Sequence, residues 1–189
     1  MLITVATRWE AEPFLSKHFP ETRLEIGAPF SVTKGVSVML TGMGRKRVGQ
    51  SLRRICTSYF PVVNIGLAGS LDEFFRVGNV FRASVLYNGG GLRVGFAPHM
   101  SDFLAGLKEA ELETHNLPVL WSRHRKAKRL ADMEAAIYAH RLPGAPIAFV
   151  KVVSDYCSLP SLIASLVSRR ERAKIKSALL GAFEGVVFG

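Results

Sequence analysis

Cysteine is scarce: Cys56 and Cys157 are the only two in 189 residues. Two thiols build neither a disulfide framework nor a four-thiolate metal site, so the chain is expected to rest on its hydrophobic core in a reducing, cytoplasmic compartment. No uncharged apolar run reaches the ~18 residues that a bilayer-spanning helix needs. The opening MLITVATRWEAE lacks a basic region followed by an apolar stretch and a small-residue cleavage site, so no secretory leader is expected. Repeats, linkers and low-complexity stretches are missing too, which makes one domain over residues 1–189 the expectation. Acidic residues are in short supply, with 15 Asp and Glu against 25 Lys and Arg and a net charge of +10. Such an excess fits a solvated basic face, an anionic small ligand or nucleic acid. The basic residues are scattered over 45–47, 53–54, 123–129 and 169–176, and no RNA-binding signature, zinc-finger spacing or basic–aromatic repeat accompanies them. Nucleic acid is therefore the weakest of the three, and no membrane partner is expected.

Hydrophobic residues are plentiful at 48%, enough for a sizeable core. LITVA (2–6), GVSVMLTG (35–42), PVVNIGLAG (61–69), VGNVFRASVLY (77–87) and IAFVKVVSD (147–155) are β-branched, apolar runs that predict strands. Between them lie helical patterns: EAEPFLSKHF, with acids in its first turn, and the segment after TGMG, with Val48, Leu52 and Ile55 on one face. Residues 88–130 are harder to place. NGGGLRVGFAP reads as loop, HMSDFLAGLKEAELE as helix and LPVLWS as a short strand. ADMEAAIYAHRL predicts a further helix, and a long final helix is expected from about Pro160 to Phe183 with Ser158 or Ser161 as N-cap. The strand–helix–strand rhythm gives an α/β protein, a three-layer α/β/α sandwich around a mixed, largely parallel sheet.

In such sheets ligands bind beyond the carboxyl ends of the strands. Arg8, Glu10, Glu12, the TGMG and GLAGS turns, Ser154 and Asp155 sit at those ends, and Glu134 opens the helix before the last strand. Each has an ordinary structural reading. Asp155 suits a turn or cap, Glu12, Asp132 and Glu134 suit helix first turns, and the glycines suit tight turns. His140 reads as a packed helix histidine. Lys151, inside an apolar run, must either snorkel or meet an anion.

Taken together, ITVATRWEAE, TGMGRKRVG, NIGLAGSLDEFFRVGNV and DMEAAIYA followed by FVKVVSD resemble the nucleoside phosphorylase superfamily in order and spacing. The resemblance is strongest to its nucleosidase branch, which includes methylthioadenosine/S-adenosylhomocysteine nucleosidase and futalosine hydrolase. It implies hydrolysis of the N-ribosyl bond of a purine, adenine-type nucleoside. Asp155 matches the acid that protonates the leaving base and must hold a proton near neutrality, with Ser154 positioning it. Glu134 matches the carboxylate that accepts hydrogen bonds from the ribose and favours an oxocarbenium-like transition state, and Met133 matches the apolar residue beside the sugar. Glu12 matches the base that activates water. Leu67, Ala68 and Gly69 match the substrate-lining turn, with Leu67 standing where a small hydroxyl residue is common. Lys151 stands where an Arg is usual, which keeps the charge without the guanidinium fork.

The alternative is phosphorolysis, for which Arg8, Arg45 and Arg47 are candidate anion ligands, but Glu12 favours water as nucleophile. A catalytically weak nucleoside-binding protein on the same fold is a further alternative. The resemblance implies no metal and no cofactor, and a homodimer. It also implies a middle segment, about 88–130, that is shorter than in the family. Phe96, His99, Phe103 and Trp121 are the candidates there for stacking on a base.

Overall fold

The structure is a computed structural model that describes residues 1–55, 59–72, 74–120 and 128–189. Strand β1 (Leu2–Val5) runs through the capping residue Thr7 into helix α1 (Arg8–His18). The hairpin β2 (Pro29–Thr33) and β3 (Val36–Leu40) leads to α2 (Gly44–Leu52), β4 (Val62–Ser70) and β5 (Val80–Asn88). Two-residue strands β6 (Arg93–Val94) and β7 (Ala97–Pro98) precede the short α3 (Asp102–Gly106) and β8 (Lys108–Thr114). The chain ends with β9 (Arg129–Asp132), α4 (Ala135–Arg141), β10 (Pro146–Asp155), α5 (Leu159–Val167) and α6 (Arg169–Phe188).

Among the described residues, ten strands form one mixed sheet. An open wing runs β2-β3-β1-β4, with β1 parallel to both β3 and β4. From β4 the sheet continues through β9, β8 and β5 to β10, which pairs in parallel with β4 again. Half of the sheet therefore closes on itself as a small barrel, and β4 and β10 form its seam with the wing. Their alternation sets the layers. Ile3, Val5, Val63, Ile65, Val150 and Val152 face α1 and α6, where Phe14 stacks on Phe183 with ring centroids 5.1 Å apart. Leu2, Val62 and Phe149 face the other way, toward Val48 and Leu52 of α2 and Tyr138 of α4. The three-layer α/β arrangement is that expected from the strand–helix rhythm.

The differences lie in the middle and at the end. HMSDFLAGLKEAELE is a five-residue helix followed by a strand. Within β8, Ala110 and Leu112 point to the core, whereas Glu109 pairs with Arg82 and Glu111 with Arg129. A two-residue period with ion-paired outer positions overrides the helix propensity of Ala, Glu and Leu. Residues 117–120 of LPVLWS are irregular, and Trp121 lies outside the described residues, as do 122–127. The long final helix is broken at Ser168, whose extended backbone (ψ 120°) ends α5 and whose hydroxyl caps α6 by accepting from the Glu171 amide. Phe96 packs edge-on against Phe149, and Phe103 packs against the cluster under α6, so both serve the core.

Candidate active site

Four elements end at one place: the carboxyl ends of β4, β9 and β10 and the first turn of α1. A cavity of about 240 Å³ lies between them. Its walls include Leu67, Ala68, Gly69, Met133, Glu134, Ser154 and Asp155, so seven of the residues implied by the resemblance stand together.

Glu12 is not among them. Its carboxylate is 44% exposed on the outer face of α1, paired with Lys176 of α6 at 2.8 Å. Glu10 occupies the site instead. Thr7 caps α1, and Glu10 at the third helical position completes a capping box by accepting from the Thr7 amide at 2.7 Å. That bond folds the side chain back over the helix start, where its other oxygen accepts from the Leu67 amide at 3.0 Å. Two residues further along a helix is 200° round it, which is why the two glutamates diverge. The Thr7-x-x-Glu10 spacing was the signal that distinguishes them.

Lys151 is fully buried behind the cavity. Its ammonium meets Asp132 at 2.9 Å and donates to the Asn64 side chain at 2.7 Å. Burial lowers its pKa, but Asp132 and Glu134 outweigh that, and the net shift is upward. Asp132 is held from three sides. It pairs with Lys151, accepts from the Thr114 hydroxyl at 2.8 Å, and accepts from the Ala135 amide at 3.0 Å at the start of α4. Asp132 thus does the capping that Glu134, the residue at the N-cap position, does not. Among the described residues the Glu134 carboxyl has one long hydrogen-bond contact, from the Gly44 amide at 3.5 Å, and it faces the cavity. Burial and the nearby Asp132 charge push its pKa up to about 7.

Asp155 ends β10 and is buried. One oxygen accepts from the Ser154 hydroxyl at 2.6 Å and the other from the Cys157 amide at 2.8 Å, so the plane of the carboxyl is fixed. Cys157 takes a left-handed backbone (φ 50°), and burial, then Asp155, push its thiol up to about 12. The glycines of NIGLAGS make this crowding feasible. A side chain at Gly66 would meet Glu10 at 3.1 Å, and one at Gly69 would meet Cys157 at 2.5 Å and Asp155 at 3.1 Å.

The arginines behave differently from expectation. Arg8, Arg45 and Arg47 are exposed, and none lines the small cavity. Arg45 borders a second, wider cavity of about 740 Å³ together with His115, His140 and Arg141, and among the described residues only Met133 lines both. His140 is exposed there rather than packed. Among the described residues no group of three or more His, Cys, Asp or Glu could hold a metal ion, and no helix is long and apolar enough to cross a membrane.

No family model matches the sequence, and no curated protein matches it either. Solved structures do match. An MTAN from Chlamydia trachomatis bound to MTA superposes with a TM-score of 0.78 at 21% identity, covering 98% of this chain and 95% of that one. A futalosine hydrolase from Helicobacter pylori gives 0.75 at 15% identity, covering 98% and 97%. The 5′-methylthioadenosine/S-adenosylhomocysteine nucleosidase of the same organism, with butyl-thio-DADMe-Immucillin-A, gives 0.71 at 14%, covering 98% and 96%. At these identities the likeness is one of fold: the chain shares the fold of these two nucleosidases and of this futalosine hydrolase.

Proposed function

We propose that the protein hydrolyses the N-ribosyl bond of a purine nucleoside, acting as a homodimer on a 5′-substituted adenosine. The observation that carries this reading is the convergence of Glu10, Glu134 and Asp155, all buried, on one small cavity. Breaking the bond requires a proton for the leaving base and tolerance of positive charge on the sugar. Asp155, oriented by Ser154 and the Cys157 amide, is the donor. Glu134, whose carboxyl has few partners of its own, holds the ribose hydroxyls beside Met133. Glu10 replaces Glu12 as the group that orients and deprotonates water, with Leu67 next to it. Lys151 lies too deep to touch substrate and acts by keeping Asp132 and its neighbours in place.

Water is favoured over phosphate because the described lining of the cavity contains no Lys, Arg or His. A phosphate would need such cations or several free amides. The test is base release from methylthioadenosine, S-adenosylhomocysteine, adenosine and inosine, measured chromatographically with and without phosphate. Turnover without phosphate, yielding a free ribose, is expected. Asp155→Asn and Glu10→Gln should each lose roughly 10²–10⁴-fold. Wild-type turnover by Asp155→Asn removes the assigned acid, and strict phosphate dependence removes hydrolysis.

A further inference from the structure

Helix α5 is amphipathic in the wrong sense for a surface facing water. Leu159, Ile163, Leu166 and Val167 are 39%, 51%, 64% and 71% exposed, whereas Ser165 is buried. The serines are used inward: Ser158 caps the helix, Ser161 accepts from the Tyr156 amide, and Ser165 donates to the Leu162 carbonyl. None of the four exposed aliphatic residues belongs to a buried hydrophobic cluster of the described chain. They span less than half of the helix circumference, so they form one stripe. Leu162, at the edge of this stripe, lines the small cavity, which is also rimmed by Met43 and Val119. Directly beyond the break at Ser168, Arg169, Arg170 and Arg172 are exposed on the first turns of α6.

We propose that α5 and the start of α6 dock the protein on an anionic lipid surface, with the mouth of the cavity close to the bilayer. An aliphatic stripe that enters the headgroup region, flanked by arginines at phosphate level, is the pattern that binds such interfaces. A second copy of the chain fits the face less well. An anionic lipid surface supplies counter-charge to Arg169, Arg170 and Arg172, which a second copy of a chain at +10 does not. The docking adds a partner that composition did not suggest; among the described residues no helix is long and apolar enough to cross a membrane.

Flotation of the whole protein with phosphatidylcholine vesicles, with and without phosphatidylglycerol, tests the proposal. The protein should float with the anionic vesicles at low salt and be released as salt rises. Arg169→Glu with Arg170→Glu should weaken binding by about tenfold or more. Ile163→Ser with Leu166→Ser should abolish it while leaving the circular dichroism spectrum and turnover of a water-soluble nucleoside unchanged. Lack of flotation with anionic vesicles, or flotation that survives the two serines, overturns the proposal. So does light scattering that shows the serine variant converting a dimer to monomers, because the face is then a protein contact. Turnover is read separately, so failure of the docking and failure of the proposed hydrolysis are distinguishable.

Discussion

Asp132 and Glu134 stand two residues apart and carry different burdens. Asp132 is consumed by structure, caught between Lys151, Thr114 and the Ala135 amide, and Glu134 is left facing the cavity. That division has a pH signature. The folded protein holds Glu134 at about 7, above its ordinary 4.5. Below that ordinary value both folded and unfolded chains are protonated, and the group's full contribution to stability is present. As pH rises toward 7 the unfolded chain ionises first, so the contribution is lost, roughly 2–4 kcal/mol across the window. Denaturant titrations from pH 4 to 8 should show this slope in the wild type and a flatter profile in Glu134→Gln, which should also lose nucleoside turnover. That Glu134 and Asp155 stand at one site was legible in the sequence through the resemblance, and both line the cavity. The choice between Glu10 and Glu12 was legible only through the Thr7-x-x-Glu10 capping box, because both fall at the start of α1 and the box alone decides which one turns inward.

At the scale of elements, β4 sets the shape of the site by leaving side chains out. Gly69 packs against Cys157 and Asp155, so Gly69→Ala must displace one of them. The expected cost is about 1–3 kcal/mol in stability, with turnover falling about tenfold or more as the Asp155 carboxyl moves. Gly95→Ala, where an added methyl would meet nothing within 4 Å, is the control and should leave both unchanged. Strands β1, β4 and β10 were legible because they are largely apolar runs buried along nearly their whole length, and β3 and β5 because β-branched and apolar residues recur in them. Strands β8 and β9 were not, because their outer positions carry Glu111, Glu113 and Arg129, which pair only after the two strands meet. Those charges read as a helix surface until the partner strand is known.

For the molecule as a whole, the closure of the sheet at β4 and β10 gives these two strands neighbours on both edges and helices on the flanks. Hydrogen exchange followed by mass spectrometry should therefore find the slowest amides in Val62–Leu67 and Ile147–Val153 and much faster exchange in α5. Fast exchange in β10 would mean that the barrel opens independently of the wing. The Cys157 thiol then becomes a gauge of that motion. It is 2% exposed in the wall of the cavity and, at about 12, almost wholly protonated at neutral pH. A thiol in that condition is chemically silent toward alkylating reagents until the wall parts and water reaches it. In a Cys56→Ser background its labelling rate should count openings of the cavity, and a bound nucleoside should slow the count.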